Sequence, residues 1–471
     1  MVTQLKSGIH SSSGTSISSL SKLRHFSHFG LLLSVTVLLF FLLVCGCTTT
    51  PAIPGDTGNA GVTILVDDSS ALPVVQELGR EYMNKTGVPV SVKQVNDNEE
   101  SGGSHPRGDL LIAGISRMAV YASKEQLVSL NTYLNSSLVA NWSVFERPSL
   151  TMAGEYPEHS GTIYALPFNQ DALGIVYRSD LLEDPNESAA FCVTYGYPLG
   201  APGSYKELTD IAEFFSRNES HLAGIGFAGL TGSDSISSPW LSFVSSYGSG
   251  VYDSSSGVAA GTWNSSRTVS ALNEMRNISR YEPAGAEKWG DQDVADAISS
   301  GIIAMGITWF SQFPGIQNAA QEHNLSLGYL PLPGEITHEG SYRAITVRVD
   351  GVGILKDGSR DRAEDFLSWF YSPAVQLSFA ESGHQPALLT VLDSYPYLSM
   401  NSFNRAFPES MRIGVSSEKG EMAESVRHAC EEAVQAIVSP VDTVSPEEML
   451  QILNRSASSI DSIKKTGITS P

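Results

Sequence analysis

TIYALPFNQDALGIVYRSDLLE, residues 162–183, is the stretch from which the rest of the chain can be read. A β-rich run over residues 162–166 stops at Pro167. Phe168, Asn169, Gln170 and Asp171 interrupt it, and a second apolar run over residues 173–177 leads through Arg178, Ser179 and Asp180 into a helix start. Two strands with a polar break between them fit two arrangements. One is a β-hairpin with an ordinary loop. The other is a chain that leaves one sheet and enters a second, which sets the polar residues between two bodies, where small-molecule sites are common.

Size and charge narrow the choice. At 471 residues the chain exceeds one typical hydrophobic core, so two domains are expected. Hydrophobic residues at 41% and charged residues at 17% describe a globular protein. The net charge of −21 argues against nucleic acid or an anionic membrane surface as a partner, because phosphates are repelled.

The N-terminus has the layout of an export signal. Lys6, Lys22 and Arg24 precede a largely apolar run over residues 29–44, which ends in Val44-Cys45-Gly46-Cys47. Those four residues are similar to a lipobox, with Cys47 as the residue to be lipidated. The rival is an uncleaved signal anchor, since the run is near the minimum length of a membrane span. Residues 1–47 are therefore read as export signal or anchor and 48–61 as a Thr/Pro/Gly-rich linker, with the remainder tethered outside the cytoplasm. Beyond that segment only Cys192 and Cys430 remain, an even pair that permits one disulfide in an oxidising compartment.

From residue 62 the pattern is strand (62–66), helix (72–86, closed by Gly87), strand (88–95) and, after a Gly/Ser loop, strand (109–113). That is the opening of a doubly wound parallel α/β sheet, whose ligands bind beyond the strands' carboxyl ends. Here those ends are residues 67–70, with Asp68 among them, and residues 114–116. Further on, SYKELTDIAEFF (204–215) carries a capping box between Ser204 and Glu207. WLSFVSSYG (240–248) is an aromatic helix, AISSGIIAMGITW (297–309) a helix end and buried strand, and YLPLPG (329–334) a short strand. VDGVGILKDGSRDRAEDFLSWFYSPAVQ (349–376) joins a Gly-interrupted strand to a helix.

These pieces, together with YALPFNQDALGIVYRSDLL (164–182), occur in an order that resembles the extracellular solute-binding proteins of ABC importers, the sugar-binding family typified by maltose-binding protein. VDGVG lacks the tryptophan usual in that family, and GGSHPRGDLLIA (102–113) is similar to oxyanion-binding relatives. The resemblance implies an α/β, two-lobed periplasmic-binding-protein-like (type II) fold, with doubly wound sheets joined by a hinge. It implies lobe 1 over 62–167 plus 347–384, and lobe 2 over 168–346 plus 385–471. The implied function is capture of a solute, carbohydrate first, and its delivery to ABC permease subunits by a monomer without a cofactor or metal.

Carbohydrate binding calls for flat aromatic faces and planar polar side chains. The expected stacking residues are Trp309, favoured because it ends an apolar strand before polar Ser311 and Gln312, and Trp240, with Phe310 and Trp289 behind them, and for each the core is the rival reading. The expected polar contacts are Asp68, Asp109, Asn169, Gln170 and Asp171, although Asp109 could simply cap a strand start. Within this class a polyamine (through Asp68, Asp109 and Asp171), an oxyanion or iron (through Tyr195 and Tyr197) could replace sugar. Outside it stand an exported hydrolase and a surface sensor. No H-E-x-x-H, G-x-S-x-G or phosphate loop is present, which leaves catalysis without a motif.

Overall fold

The computed structural model describes residues 61–95, 107–217, 221–229, 239–253, 255–337, 340–416, 419–438 and 444–468. The expected export segment with Cys47, and the expected linker up to residue 60, lie outside the described residues. No helix among the described residues is long and apolar enough to cross a membrane.

The strands are β1 (Val62–Val66), β2 (Val90–Gln94), β3 (Leu110–Gly114), β4 (Ala165–Arg178), β5 (Ala223–Phe227), β6 (Ile303–Trp309), β7 (Leu327–Pro331), β8 (Glu335–Thr337), β9 (Gly340–Tyr342), β10 (Ile345–Ile354) and β11 (Gly414–Val415). The helices used below are α1 (Leu72–Thr86), α2 (Ile115–Ser123), α3 (Arg147–Gly154), α4 (Pro185–Tyr195), α5 (Tyr205–Phe215), α6 (Trp240–Ser246), α7 (Ser266–Ile278), α8 (Asp291–Ser299), α9 (Phe313–Glu322), α10 (Arg360–Phe370), α11 (Pro373–Glu381), α12 (Ala423–Val438) and α13 (Pro446–Ile468).

Local chemistry sets the ends of these elements. α1 buries Val75, Leu78 and Tyr82 at helical spacing and stops at Gly87, whose φ of 76° and N–H bonded to the Met83 carbonyl close the last turn. At the start of α5, Ser204 Oγ accepts from the Glu207 N–H at 3.2 Å. The Glu207 carboxylate accepts from the Gly203 N–H instead of the Ser204 N–H, so the expected capping box is only half made, with its second bond moved back one residue.

The sheet runs β2-β1-β3-β10-β4-β6-β5, with β7 also paired to β4 and β11 to β10. β1, β2 and β3 are mutually parallel, as expected. β5 and β6 form a second parallel pair. Between these two halves run β4 and β10, antiparallel to each other and each long enough to enter both. Residues 350–354 of β10 pair with β3, while Leu173–Tyr177 of β4 pair with β6 and Gly174–Arg178 with β7.

The central stretch therefore differs from the two broken strands expected. It is one strand of 14 residues. Asn169, Gln170 and Asp171 do not interrupt it, because Asp350, Val349 and Arg348 sit directly opposite and satisfy the ladder. The break survives as a bulge. Asp350 faces Asn169 but Gly351 faces Pro167, which leaves Phe168 without a cross-strand partner. Its ring stacks 5.1 Å from Phe370 and lies tilted 5.7 Å from Phe379, burial that stabilises by roughly 1.5–3 kcal/mol. Space at Gly351 is tight: a Cβ there would lie 3.0 Å from the Ala153 carbonyl oxygen and 3.0 Å from the Ala165 Cβ.

Two further expectations are corrected. Cys192, exposed on α4, and Cys430, buried on α12, are not joined in a disulfide. The chain beyond residue 384 also does not belong wholly to the second half. Leu388 bridges Phe145, and the Leu389 N–H donates to the Val144 carbonyl at 2.8 Å, which returns this segment to the first half. α12 and α13 pack on each other and on α7, against the second half.

Candidate functional site

β1 and β3 are parallel and in register, so their carboxyl ends open on the same side, where α/β sheets take ligands. There a cavity of about 430 Å³ is lined by Asp67 and Gly114 at the strand ends and by Ser116 and Arg117 at the start of α2. Its floor is residues 346–350 of β10. Its far walls are Trp240 and Leu241 of α6, with Glu424, Arg427 and Glu431 of α12. The volume falls within the range of small-molecule sites.

Hydrogen bonds between buried groups hold the far wall to the floor. Ser242 Oγ pairs with Thr346 Oγ1 at 2.7 Å and accepts the Thr346 N–H at 2.8 Å; one turn on, Ser246 Oγ accepts the Ala344 N–H at 3.0 Å. α6 is thus bolted to β10, which fixes the Trp240 indole at the cavity edge, where its ring packs edge-on to Trp263 at 5.7 Å.

The floor carries the sharpest electrostatics. Arg348 faces Asp171 across the strand pair, its guanidinium 3.4 Å from Asp171 Oδ2. Asp171 is 3% exposed and its Oδ1 accepts the Ala172 N–H at 2.9 Å and the Ser311 N–H at 3.2 Å. Burial raises its pKa above the ordinary carboxylate value, against the opposing pull of Arg348. Two pairs along, on the same face, Asp350 faces Asn169, whose amide donates to its carboxylate. Burial pushes Asp350 up to about 6, with Arg348 pulling down and Asp68 and Asp171 adding repulsion. Arg117 pairs with Asp67 at 3.2 Å, and on α12 Arg427 donates to Glu431 at 2.7 Å. The cavity is thus lined by three guanidiniums and four carboxylates, with Asp171 a fifth beside its floor. An environment with this excess of negative charge disfavours an anionic occupant.

The residues singled out from sequence separate here. Trp240 lines the cavity. Asn169 and Asp171 lie beside its floor on the neighbouring strand β4, paired with Asp350 and Arg348. Asp68 is exposed just after β1, where it caps a turn by accepting the Ser70 N–H at 2.8 Å; it bears on the site through its charge at Asp350. Gln170 points the other way, as strand alternation demands, and its Nε2 donates to the Pro386 carbonyl at 2.8 Å. Asp109 is not at the site. It pairs with the start of β1, the end opposite the cavity, and its carboxylate is occupied by the Thr63 and Ser359 N–H groups and by Arg362. Trp309 is 1% exposed, and the Arg348 guanidinium lies 4.8 Å from its ring centre, so no open stacking face remains. Phe310 is fully buried against Phe313 and Phe407, and Trp289 packs onto the core. Tyr195 and Tyr197 pack around Phe191 and donate to Glu213 and Asp210, an arrangement of structure and not of iron binding.

Sequence reading missed Arg117, Arg348, Asp350 and Arg427. For Arg348 and Asp350 a signal existed: they are alternate polar positions in an otherwise apolar run, ITVRVDGVGI, and so share one face of a strand. For Arg117 and Arg427 no local pattern distinguishes a cleft residue from a solvated helix face.

The family model described as bacterial extracellular solute-binding protein matches residues 66–377. No curated protein matches the chain by sequence. Among solved structures, the sugar-binding protein MalE from the phytopathogen Xanthomonas citri aligns with a TM-score of 0.69 at 16% identity, over 88% of this chain and 100% of its own. Maltose-bound MalE3 of T. maritima aligns at 0.65 and 18% identity, over 85% and 99%. The GacH receptor of Streptomyces glaucescens, solved unliganded and with acarbose, aligns at 0.64 and 15% identity, over 86% and 99%. At these identities the likeness is one of fold, the two-lobed solute-binding architecture.

Proposed function

Since this chain belongs to the bacterial extracellular solute-binding proteins, we propose that it captures a carbohydrate outside the cytoplasm and delivers it to the permease of an ABC importer. The observation that carries the reading is a cavity shared by the two halves of the fold, at the carboxyl ends of β1 and β3 and over the β4–β10 ribbon. Arg117 comes to it from the first half and Trp240 from the second, so an occupant touches both and favours their closure. The lining supports a sugar: an indole edge for apolar faces, and guanidinium, carboxylate and hydroxyl groups for ring hydroxyls. The solved proteins of like fold include ones bound to maltose and to acarbose.

In this reading β4 and β10 form the hinge, solute is bound without being transformed, and the protein acts as a monomer. It is held at the membrane through Cys47. Replacement of Cys47 by alanine then frees the protein from the membrane fraction. The excess of carboxylates supports a cationic solute as the second reading, ahead of an oxyanion.

The test is a thermal-shift screen of the protein against neutral sugars, polyamines, oxyanions and metal ions. A solute at a hundred times its Kd adds about 2.7 kcal/mol of stability, a shift such a screen resolves. A sugar response is expected. A response confined to polyamines or anions overturns the carbohydrate assignment and keeps the receptor, and turnover of a bound glycan overturns the receptor.

A further inference from the structure

Half of the asparagines in this chain open one short motif. Nine of 18 stand two residues before a Ser or Thr, with no proline between. Ser and Thr make up 91 of the 471 residues, so about three or four such placements are expected by chance, and nine is an excess. Asn-x-Ser/Thr is the acceptor sequence for an N-linked glycan on an exported protein, and this family works outside the cytoplasm. The fold keeps these asparagines at the surface. Eight lie among the described residues (Asn218 does not), and none of the eight is buried or lines the solute cavity. Asn84, Asn135 and Asn324 are exposed. The first two sit in the last turn of a helix, and the third follows α9 at φ 55°, a left-handed conformation that asparagine tolerates better than most residues. Asn135 Oδ1 takes the Trp142 indole N–H at 2.8 Å, and among the described residues nothing bonds the side-chain nitrogen of any of the three.

Asn141 goes furthest. Its Oδ1 accepts the Ser143 N–H at 3.0 Å and the Ser143 hydroxyl at 2.6 Å, so the two polar ends of the motif already meet. That hydroxyl polarises the carboxamide from its oxygen side, while Nδ2 has no partner among the described residues. The remaining four are engaged elsewhere. Asn264 donates to Asn454, and Asn186 bonds the Asp184 carboxylate. Asn277 is half-buried on α7, with the hydroxyl of its Ser279 spent on the Met275 carbonyl. We infer that Asn84, Asn135, Asn141 and Asn324 carry N-linked glycans, with Asn141 the leading acceptor. The inference rests on location outside the cytoplasm and not on the identity of the solute. The donor is an oligosaccharide linked to a polyprenyl phosphate. The asparagine nitrogen bonds to the anomeric carbon, the bond from that carbon to the phosphate oxygen breaks, the carrier phosphate leaves with the electron pair, and the amide proton passes to a base of the transferase. Glycans at these positions cover surface on both halves of the fold and leave the cavity lining clear.

Tandem mass spectrometry of the protein purified from the cells that make it tests this, with electron-transfer fragmentation to assign each modified residue. Asn141 is expected mostly at a mass raised by whole sugar units, and Asn84, Asn135 and Asn324 at partial occupancy. Asn141→Gln and Ser143→Ala are each expected to remove the Asn141 adduct, and Ser143→Thr to keep it, because threonine preserves the hydroxyl. The map of the native protein decides even where a variant fails to accumulate. All four asparagines at their unmodified mass, saccharide on Ser or Thr hydroxyls in place of these amides, or an Asn141 adduct that survives Ser143→Ala overturns the inference. Adducts confined to Asn186, Asn264, Asn277 or Asn454 overturn the choice of acceptors made from the fold. None of these outcomes bears on the cavity, so failure here leaves the solute reading standing.

Discussion

Arg348 stands 3.4 Å from Asp171 across the β4–β10 ribbon, one partner half-exposed in the cavity and the other almost wholly buried beside it. The same guanidinium caps the Trp309 ring, so one side chain of the floor serves both a buried charge and a buried indole. Arg348→Ala removes a cation–π contact of about 0.5–1 kcal/mol and leaves Asp171 without its countercharge. Because Arg348 is half in water, the whole loss should be about 1–2 kcal/mol in urea denaturation at pH 7. Burial already raises the Asp171 pKa, so the folded state holds its proton more tightly than the unfolded chain, and stability falls as pH rises through the interval between the two values. Loss of Arg348 widens that interval. The penalty of the substitution should therefore shrink toward pH 4, and a penalty independent of pH would show that Arg348 does not balance Asp171.

Trp309→Ala should act on stability before it acts on binding. The indole ends a strand buried along its whole length and is covered by Arg348. Its truncation leaves a cavity that costs about 3–5 kcal/mol in denaturant unfolding. Trp309→Phe should recover about half of that. If instead Trp309→Ala leaves stability intact and weakens solute binding, the indole is a binding platform after all.

How far the sequence led is clearest at residues 169–171. The segment was legible as a crossing between two parts of the fold, because a proline and three polar residues break an apolar run, and the crossing is where the cavity floor lies. What strand alternation does with those residues was not legible, since it depends on register. One residue of bulge at Phe168 decides that Asn169 meets Asp350 and Asp171 meets Arg348, while Gln170 turns to Pro386. Asp109 stayed open between a solute contact and a strand-start cap for the opposite reason. An acidic residue beginning a strand looks the same whether it caps backbone N–H groups or faces a solute, and only the position of Ser359 and Arg362, some 250 residues away, separates the two. Trp309, which ends an apolar strand before Ser311 and Gln312, read as the better stacking residue, yet both indoles are packed into the core and it is Trp240 that borders the cavity.

Asp350 should make the cleft sensitive to pH. Its pKa is pushed up to about 6 by burial, against an ordinary value of 3.8. The folded protein therefore keeps this proton where the unfolded chain has lost it. The stabilising contribution is complete below about pH 3.8, declines as pH rises, and is gone above about pH 6. Asp350→Asn should flatten that part of the stability curve and leave the Asn169 pairing in place. Solute affinity, measured by calorimetry between pH 5 and 7.5, should change across pH 6 in the native protein and not in the variant. An unchanged pH dependence in the variant would assign the effect to Asp171.

Glu282 offers the same physics away from the cavity. It follows α7, where its carboxyl accepts the Phe227 N–H of β5 at 3.2 Å and a bond from the Ser279 side chain. The carboxyl lies deep among protein atoms although the residue keeps some surface, and no cation offsets the burial, so its pKa is pushed up to about 8 from an ordinary 4.5. A raised carboxyl pKa stabilises the fold fully below about pH 4.5 and progressively less as pH climbs to about 8, because the ionised form must then be held out of water. Glu282→Gln keeps an acceptor for the Phe227 N–H and removes the charge. Its midpoint of thermal unfolding should match that of the native protein at pH 4.5 and exceed it by several degrees at pH 8.5, the scale on which about 1 kcal/mol registers in unfolding experiments. Equal midpoints at both pH values would mean that water or a cation reaches this carboxyl in solution. A variant weaker at pH 4.5 would instead show that the protonated acid donates a bond that glutamine fails to replace.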